Sequence, residues 1–307
     1  MREAQVTGAA ALTPRRIAWT RRRRALATHW ATYRRNRQGM VGLVVLALFL
    51  LIAVLGPVVV PASALDPSAA EGVPLSAPSV GYPLGTDNFG RSVLALLVSG
   101  ARISLLVGFA ATIGAMLIGA TVGVASGYFG GTRIDTVLNA LTNWFLVVPW
   151  LVLAIALATI LGASLLNVIV VIAVTSWAST ARLVRAQALT VRERTYVERA
   201  RALGAGHAHV IVTHVLPNVF PVLFANTVLT VALSILSETT LSILGLGDTT
   251  AVSWGRIIEQ AFSAGALTAG YWWWLIPPGL AIVAVTLSFT MCGYALDEVL
   301  NPKLRER

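Results

Sequence analysis

Nothing constrains the fold of this chain more than six stretches of about twenty or more residues that carry almost no charge. They run from about 40 to 60, 103 to 126, 137 to 161, 165 to 183, 219 to 244 and 272 to 294. Each is close to the ~20 residues a helix needs to cross ~30 Å of hydrocarbon. The expected fold is an all-α integral membrane protein with six transmembrane helices. Composition agrees: 56% of the 307 residues are hydrophobic and 12% are charged, a balance that a soluble domain does not tolerate. The second stretch carries Gly108, Gly114, Gly119 and Gly123, small residues that let helices approach closely. The one cysteine, Cys292, excludes an internal disulfide and lies in an apolar run, where a buried, inert thiol is expected.

Arginine and lysine set the orientation. Residues 1–39 hold ten, the 127–136 loop one, residues 182–201 six and the tail after Tyr294 three, whereas the alternate loops hold Arg91, Arg102 and Arg256 alone. The positive-inside rule therefore puts both termini and the 182–217 loop in the cytoplasm. Ala62-Ser63-Ala64 resembles a signal-cleavage site, but the preceding apolar run is longer than the ~7–15 residues of a secretory signal, so a retained first helix is expected. The Arg-rich leader has no interleaved aromatic platform for nucleic acid and faces anionic lipid headgroups instead. Residues 25–38 are expected as an interfacial helix, with Trp30 and Tyr33 at headgroup level.

The resulting organisation is a basic tail at 1–39, a first helix at 40–60 and an extracytoplasmic loop at 61–101. A five-helix core at 102–296 carries a cytoplasmic loop at 186–217, and 297–307 form a tail. The 61–101 loop is rich in proline, and Gly85-Thr86-Asp87 is a candidate helix cap. In the second outer loop, 245–271, Ser253-Trp254-Gly255 introduces a candidate short amphipathic helix.

Between the fourth and fifth stretches lies a polar, basic island, residues 195–217. Thr195 followed by Glu198 has the spacing of a capping box, and Gly204 is the residue type that ends helices. The helix between is too short to span a bilayer and reads as a docking surface.

Glu198, Ala200, Gly204, His214, Leu216 and Pro217 together resemble the coupling motif of ABC importer permeases. Further matches are Tyr82 to Asp87 (YPLGTD), Gly90-Arg91, GARISLLVG at 100–108, GYFGG at 127–131, LSILGLG at 241–247, SWG at 253–255 and the tail LDEVLNPKLR. This ordered set covers roughly residues 25 to 305 and is similar to the second permease subunit of dipeptide, oligopeptide and nickel ABC importers. Arg199 stands where the motif has its second alanine, and DTTAV follows Gly247 where prolines are usual.

The resemblance implies a type I importer permease fold and a set of partners: a second homologous permease, two cytoplasmic ATPases and an extracytoplasmic substrate-binding protein. ATP and Mg would be bound by those ATPases, and this chain would hold no cofactor and perform no catalysis. It also implies that Tyr196, Val197, Ala200 and Leu203 form an apolar face against an ATPase, with Glu198, Arg199 and Arg201 as its rim. Gly204 and Pro217 would mark where the lever ends and the fifth helix begins, with His214 between them.

Glu238 lies roughly 28 Å along the fifth helix from Val219, near its outer end. It is read either as part of an outer gate or as a structural anchor bonded to Thr239, Thr240 or backbone. His207, His209 and His214 lack a nearby carboxylate and do not have zinc spacing, so no metal is expected. Asn139, Asn143, Asn167 and Asn226 are expected to bond neighbouring helices. The chain has no G-x-x-x-x-G-K-[ST] phosphate loop. It shows neither the inverted repeats of a secondary transporter nor the nucleophile and base of an intramembrane enzyme. Peptides are the expected substrate, with nickel or another small solute as the alternative.

Overall fold

The computed structural model describes residue 19, residues 27–28 and residues 30–300. The arginines up to Arg24 and the tail motif from Asn301 onward lie outside the described residues. Five helices are long and apolar enough to cross a membrane. They are α1 (Arg37–Val59), α2 (Val93–Tyr128), α5 (Leu165–Arg192), α7 (His207–Ile243) and α10 (Trp272–Leu300). The third expected span is not one straight helix. It is α3 (Arg133–Val147) and α4 (Trp150–Leu161), bent by 92° at their junction. Pro149 is the cause, because it has no N–H to continue the ladder and drives Val148 to an extended φ of −68° and ψ of 126°.

The bundle is built round α2, whose start at Val93 is ten residues earlier than the apolar run suggests. Its glycines are the reason. A Cβ on Gly119 would stand 2.8 Å from the Trp177 carbonyl oxygen, and one on Gly123 would stand 2.6 Å from that of Ala181. Those distances are shorter than any real contact, so only glycine lets α2 and α5 meet backbone to backbone. Polar bonds add register: Thr112 and Ser234 hydroxyls lie 3.0 Å apart between α2 and α7, and Asn226 Nδ2 donates to Thr180 Oγ1 at 3.1 Å between α7 and α5. Asn143 accepts from Arg182, and Asn167 donates to the Leu161 and Gly162 carbonyls. The expectation that these asparagines tie neighbouring segments together holds for those three.

Alternate connections lie at opposite ends. The terminal end carries Tyr33, the α2–α3 turn and the 193–206 segment; the distal end carries residues 60–92 and 244–271. At the terminal end Arg185 grips Asp135 with two bonds of 2.8 and 2.9 Å, while Ser126 and the Gly131 N–H also donate to that carboxylate. Residues 30–33 are helical, and Tyr33 is buried, its hydroxyl donating to the Gly39 carbonyl. Trp30 alone of that pair is exposed.

At the distal end, the cap expected at Gly85 to Asp87 is instead Ser92, whose hydroxyl accepts from the Ala95 N–H. Asp87 serves the turn before it, accepting from the Phe89 and Arg91 N–H groups. The expected amphipathic helix of the second outer loop is α8 (Trp254–Ser263), and the short α9 (Ala266–Ala269) follows it. Trp254 is fully buried; its indole N–H donates to the Leu97 carbonyl, and Gly100 leaves room for its ring.

Candidate functional sites at the two ends of the bundle

At the terminal end, α6 (Thr195–Ala202) joins α5 to α7. The capping box does not form: Arg194 occupies the N-cap, Thr195 is the first helical residue, and no side chain caps the helix. The exit follows expectation. Gly204 has φ +86°, its N–H donates to the Arg201 carbonyl, and the Ala205 N–H donates to that of Ala200. This is the paired-bond helix ending that a left-handed residue permits. Glu198 in the first turn and Arg199 and Arg201 in the last complement the helix dipole.

The faces of α6 differ from the expected ones. Val197 is fully buried among Val184, Ala188, Val191, Val210, Val215 and Val219, so it anchors the helix and is closed to any partner. Arg201 also turns inward, its guanidinium 4.9 Å above the Tyr128 ring. The Tyr128 hydroxyl in turn lies 2.8 Å from His207 Nδ1. Thr195, Tyr196, Glu198, Arg199, Ala202 and Leu203 are exposed and Ala200 is half-buried; of these, Tyr196, Arg199, Ala200 and Leu203, spaced by three, four and seven residues, make one stripe. Leu203 is 88% exposed and Tyr196 43%. Tyr196 packs against the ring of His214 at 5.7 Å.

Pro217 lies in the first turn of the regular α-helix Leu216–Ile243, as expected, but α7 as a whole reaches back through a π segment to His207. Because Pro217 has no N–H to offer, the ladder widens to a π turn over Ile211–Val215. Asn218 Nδ2 donates to the His214 carbonyl there. His209 and His214 lie ring to ring at 6.1 Å, and among the described residues no group of three His, Cys, Asp or Glu is arranged to hold a metal.

At the distal end, Glu238 is buried, not exposed at a mouth. Its Oε1 accepts from Ser242 at 2.8 Å and from Ser253, the N-cap of α8, at 2.6 Å. Its partners are thus neither Thr239 nor Thr240. Ser253 links α7 to α8 through this carboxylate while also capping α8. Asp248 lies in the same loop. Burial alone would raise its pKa, but four hydrogen bonds outweigh that and hold it below the usual carboxylate value. They come from Thr250 Oγ1 and from the N–H groups of Thr250, Ala251 and Leu165.

Beside α8 is an open cleft of about 600 Å³ between the end of α1, the first turns of α2, and residues 249–252. Arg91, Arg102 and Arg256 all line it. The count of basic residues puts these three arginines on one side, but nothing in the sequence pattern brings them into one cleft, since they belong to three separate segments.

The comparisons with known proteins agree with this architecture. The model for binding-protein-dependent transport system inner membrane components matches residues 115–306. The model for the N-terminal transmembrane domain of oligopeptide transport permease C matches residues 25–78. The dipeptide transport system permease protein DppC of Alkalihalophilus pseudofirmus is 34% identical over 89% of this chain and 88% of its own length. That of Bacillus subtilis is also 34% identical, over 90% and 85%, and that of Haemophilus influenzae 32%, over 92% and 96%. Among solved structures, a chain of the MetNI methionine ABC transporter in an inward-facing conformation superposes with a TM-score of 0.53 at 20% identity. The match covers 67% of this chain and 95% of that one. With its all-helical bundle and the type I ABC importer permease fold, the chain belongs to the family of binding-protein-dependent transport system inner membrane components.

Proposed function

We propose that this chain is one of two membrane-spanning halves of an ATP-driven importer of small peptides, and that α6 receives the stroke of an ATPase. The observation that carries the coupling role is the outward stripe of Tyr196, Arg199, Ala200 and Leu203 on a helix pinned from beneath by Val197. Ala200 leaves the middle of the stripe low enough for close approach, and Glu198 stands exposed at its edge. Gly204, His214 and Pro217 serve the same role from beneath, by ending α6 and shaping the π turn it rests on. The excess of arginine at this end supports a cytoplasmic location and a bacterial inner membrane. A second permease, two ATPases carrying ATP and Mg, and an extracytoplasmic substrate-binding protein complete the machine. Membrane lipid surrounds it, and nucleic acid has no part in it. Peptides as cargo follow from the relatives, which are dipeptide permeases by name. Because Glu238 is buried and its Oε1 is engaged by Ser242 and Ser253, its role is to hold α8 in place rather than to meet cargo.

The test is reconstitution of the assembled complex in liposomes with its binding protein, measuring ATP-driven uptake of labelled di- and tripeptides. Uptake that requires all partners, and that is lost on Leu203→Asp with assembly intact, is the expected result. Normal ATP-driven uptake by a Gly204→Pro complex would sink the coupling role.

A further inference from the structure

The three arginines of the distal side, Arg91, Arg102 and Arg256, come from separate segments yet line one cleft. Their states differ. Arg91 is fully used: Nε bonds Asp87 at 2.7 Å, and its two terminal nitrogens bond the Leu65 carbonyl and Gln260 at 3.1 and 3.2 Å. It builds the wall. Arg256 gives one terminal nitrogen to Glu259 and has its Nε closed off within the protein, which leaves its other terminal nitrogen for the cleft. Arg102 is exposed, and no hydrogen bond or ion pair engages its guanidinium among the described residues.

The one acidic residue in the lining is Asp66, and its Oδ1 already accepts from the Ser68 N–H and hydroxyl at 2.8 and 2.6 Å. Its other oxygen stays open, so the cleft sets one carboxylate against the exposed Arg102 and the partly engaged Arg256. Arg256 also sits in the first turn of α8, the positive end of a helix, where a cation is disfavoured. The exposed Arg102 guanidinium and the remaining terminal nitrogen of Arg256 are the groups that an anion in the cleft would meet. The remaining walls are apolar, among them Val60, Phe89, Ile103 and Val252. The volume lies within the roughly 300–1,000 Å³ of small-ligand sites.

We propose that this cleft is an anion subsite for the carboxylate of a small organic solute, held between Arg102 on α2 and Arg256 on α8, with the apolar wall taking the solute's body. Arg102 offers the planar fork that binds a carboxylate through two parallel bonds. The choice of a carboxylate solute rests on the importer role proposed above, whereas the unpaired donors do not.

The experiment uses the assembled complex in neutral-lipid nanodiscs, an arginine-selective dicarbonyl reagent, and mass spectrometry of the Arg102 adduct. Millimolar trialanine should slow modification of Arg102 at least about 5-fold, and trialanine amide should not; Arg256→Gln should weaken that protection. Equal protection by acid and amide, or by neither, overturns the proposal. So does protection by inorganic phosphate but not trialanine, or loss of reactivity on switching to anionic lipid, which would make the cleft a headgroup site. Arg102 that reacts in the isolated chain but not in the unliganded complex would show the cleft covered by a partner, and that too overturns the proposal. ATP-driven uptake is measured separately, so failure of the importer role is recognised independently.

Discussion

The ending of α6 offers the sharpest test of how this protein is built. Gly204 holds φ +86°, and a Cβ at that position would meet nothing within 4 Å. Replacing it with alanine therefore costs backbone conformation alone, about 1–2 kcal/mol for an L-residue in the left-handed region. Gly206, two residues on, is the matched control. Its Cβ would also meet nothing, but its φ is −69°, so Gly206→Ala carries no left-handed strain and should leave the end of α6 unchanged, any cost falling on the start of α7, which Gly206 caps. Amide hydrogen exchange reads the difference directly. The Gly204 and Ala205 N–H groups close the helix end on the Arg201 and Ala200 carbonyls. Gly204→Ala should raise their exchange about 5–30-fold, the factor that 1–2 kcal/mol represents. Gly204→Asn should be milder, since asparagine tolerates this region, and Gly204→Val more severe. If Gly204→Ala and Gly206→Ala exchange alike, the helix ending does not depend on left-handed backbone and the reasoning fails.

Gly123→Leu should destabilise the detergent-solubilised protein by several kcal/mol, read as a large drop in melting temperature, because a Cβ meets the Ala181 carbonyl oxygen at 2.6 Å. Gly279→Ala, in the same class of helix but with nothing near its Cβ, should leave that temperature unchanged or raise it. Glu238→Ala leaves the Ser242 and Ser253 hydroxyls without their acceptor and should cost about 1–3 kcal/mol, with α8 becoming protease-sensitive first. Asp248 has a folded pKa below its unfolded value of about 4, so its contribution is full above that value and is lost as pH falls through the depressed one. Acid titration of melting temperature should accordingly show a smaller loss below about pH 4 in Asp248→Asn than in the wild type.

Helix number and the exit of α6 are legible in the sequence because they are written in local pattern: long apolar runs, and a glycine at a helix end. The bend at Pro149 is equally local yet masked, because an uncharged run from 137 to 161 has the length of one span and its apolar character continues unbroken through the proline. The inner and outer faces of α6 are a different matter. Val197 looks like part of a docking face until valines of α5 and α7, several of them ten or more residues away in sequence, close over it. Burial of that kind is set by packing, which no eight-residue window contains. The same holds for Glu238, whose decisive partner Ser253 is fifteen residues off on another helix, and for the arginine cleft, which draws on three segments.

The glycine seam between α2 and α5 has a mechanical consequence. Side chains between helices act as springs, since rotamers can shift and absorb a displacement before the neighbouring backbone feels it. At Gly119, Gly123 and Gly127 the α2 side of the seam has no such springs, and α5 closes on its backbone with carbonyls and the short side chains of Thr180, Val184 and Ala188. Since α6 follows α5 after only Glu193 and Arg194, a push on α6 by the proposed ATPase would pass into α5 and reach α2 with little backlash. The seam makes two helices into one beam, and Leu203 stands at its tip.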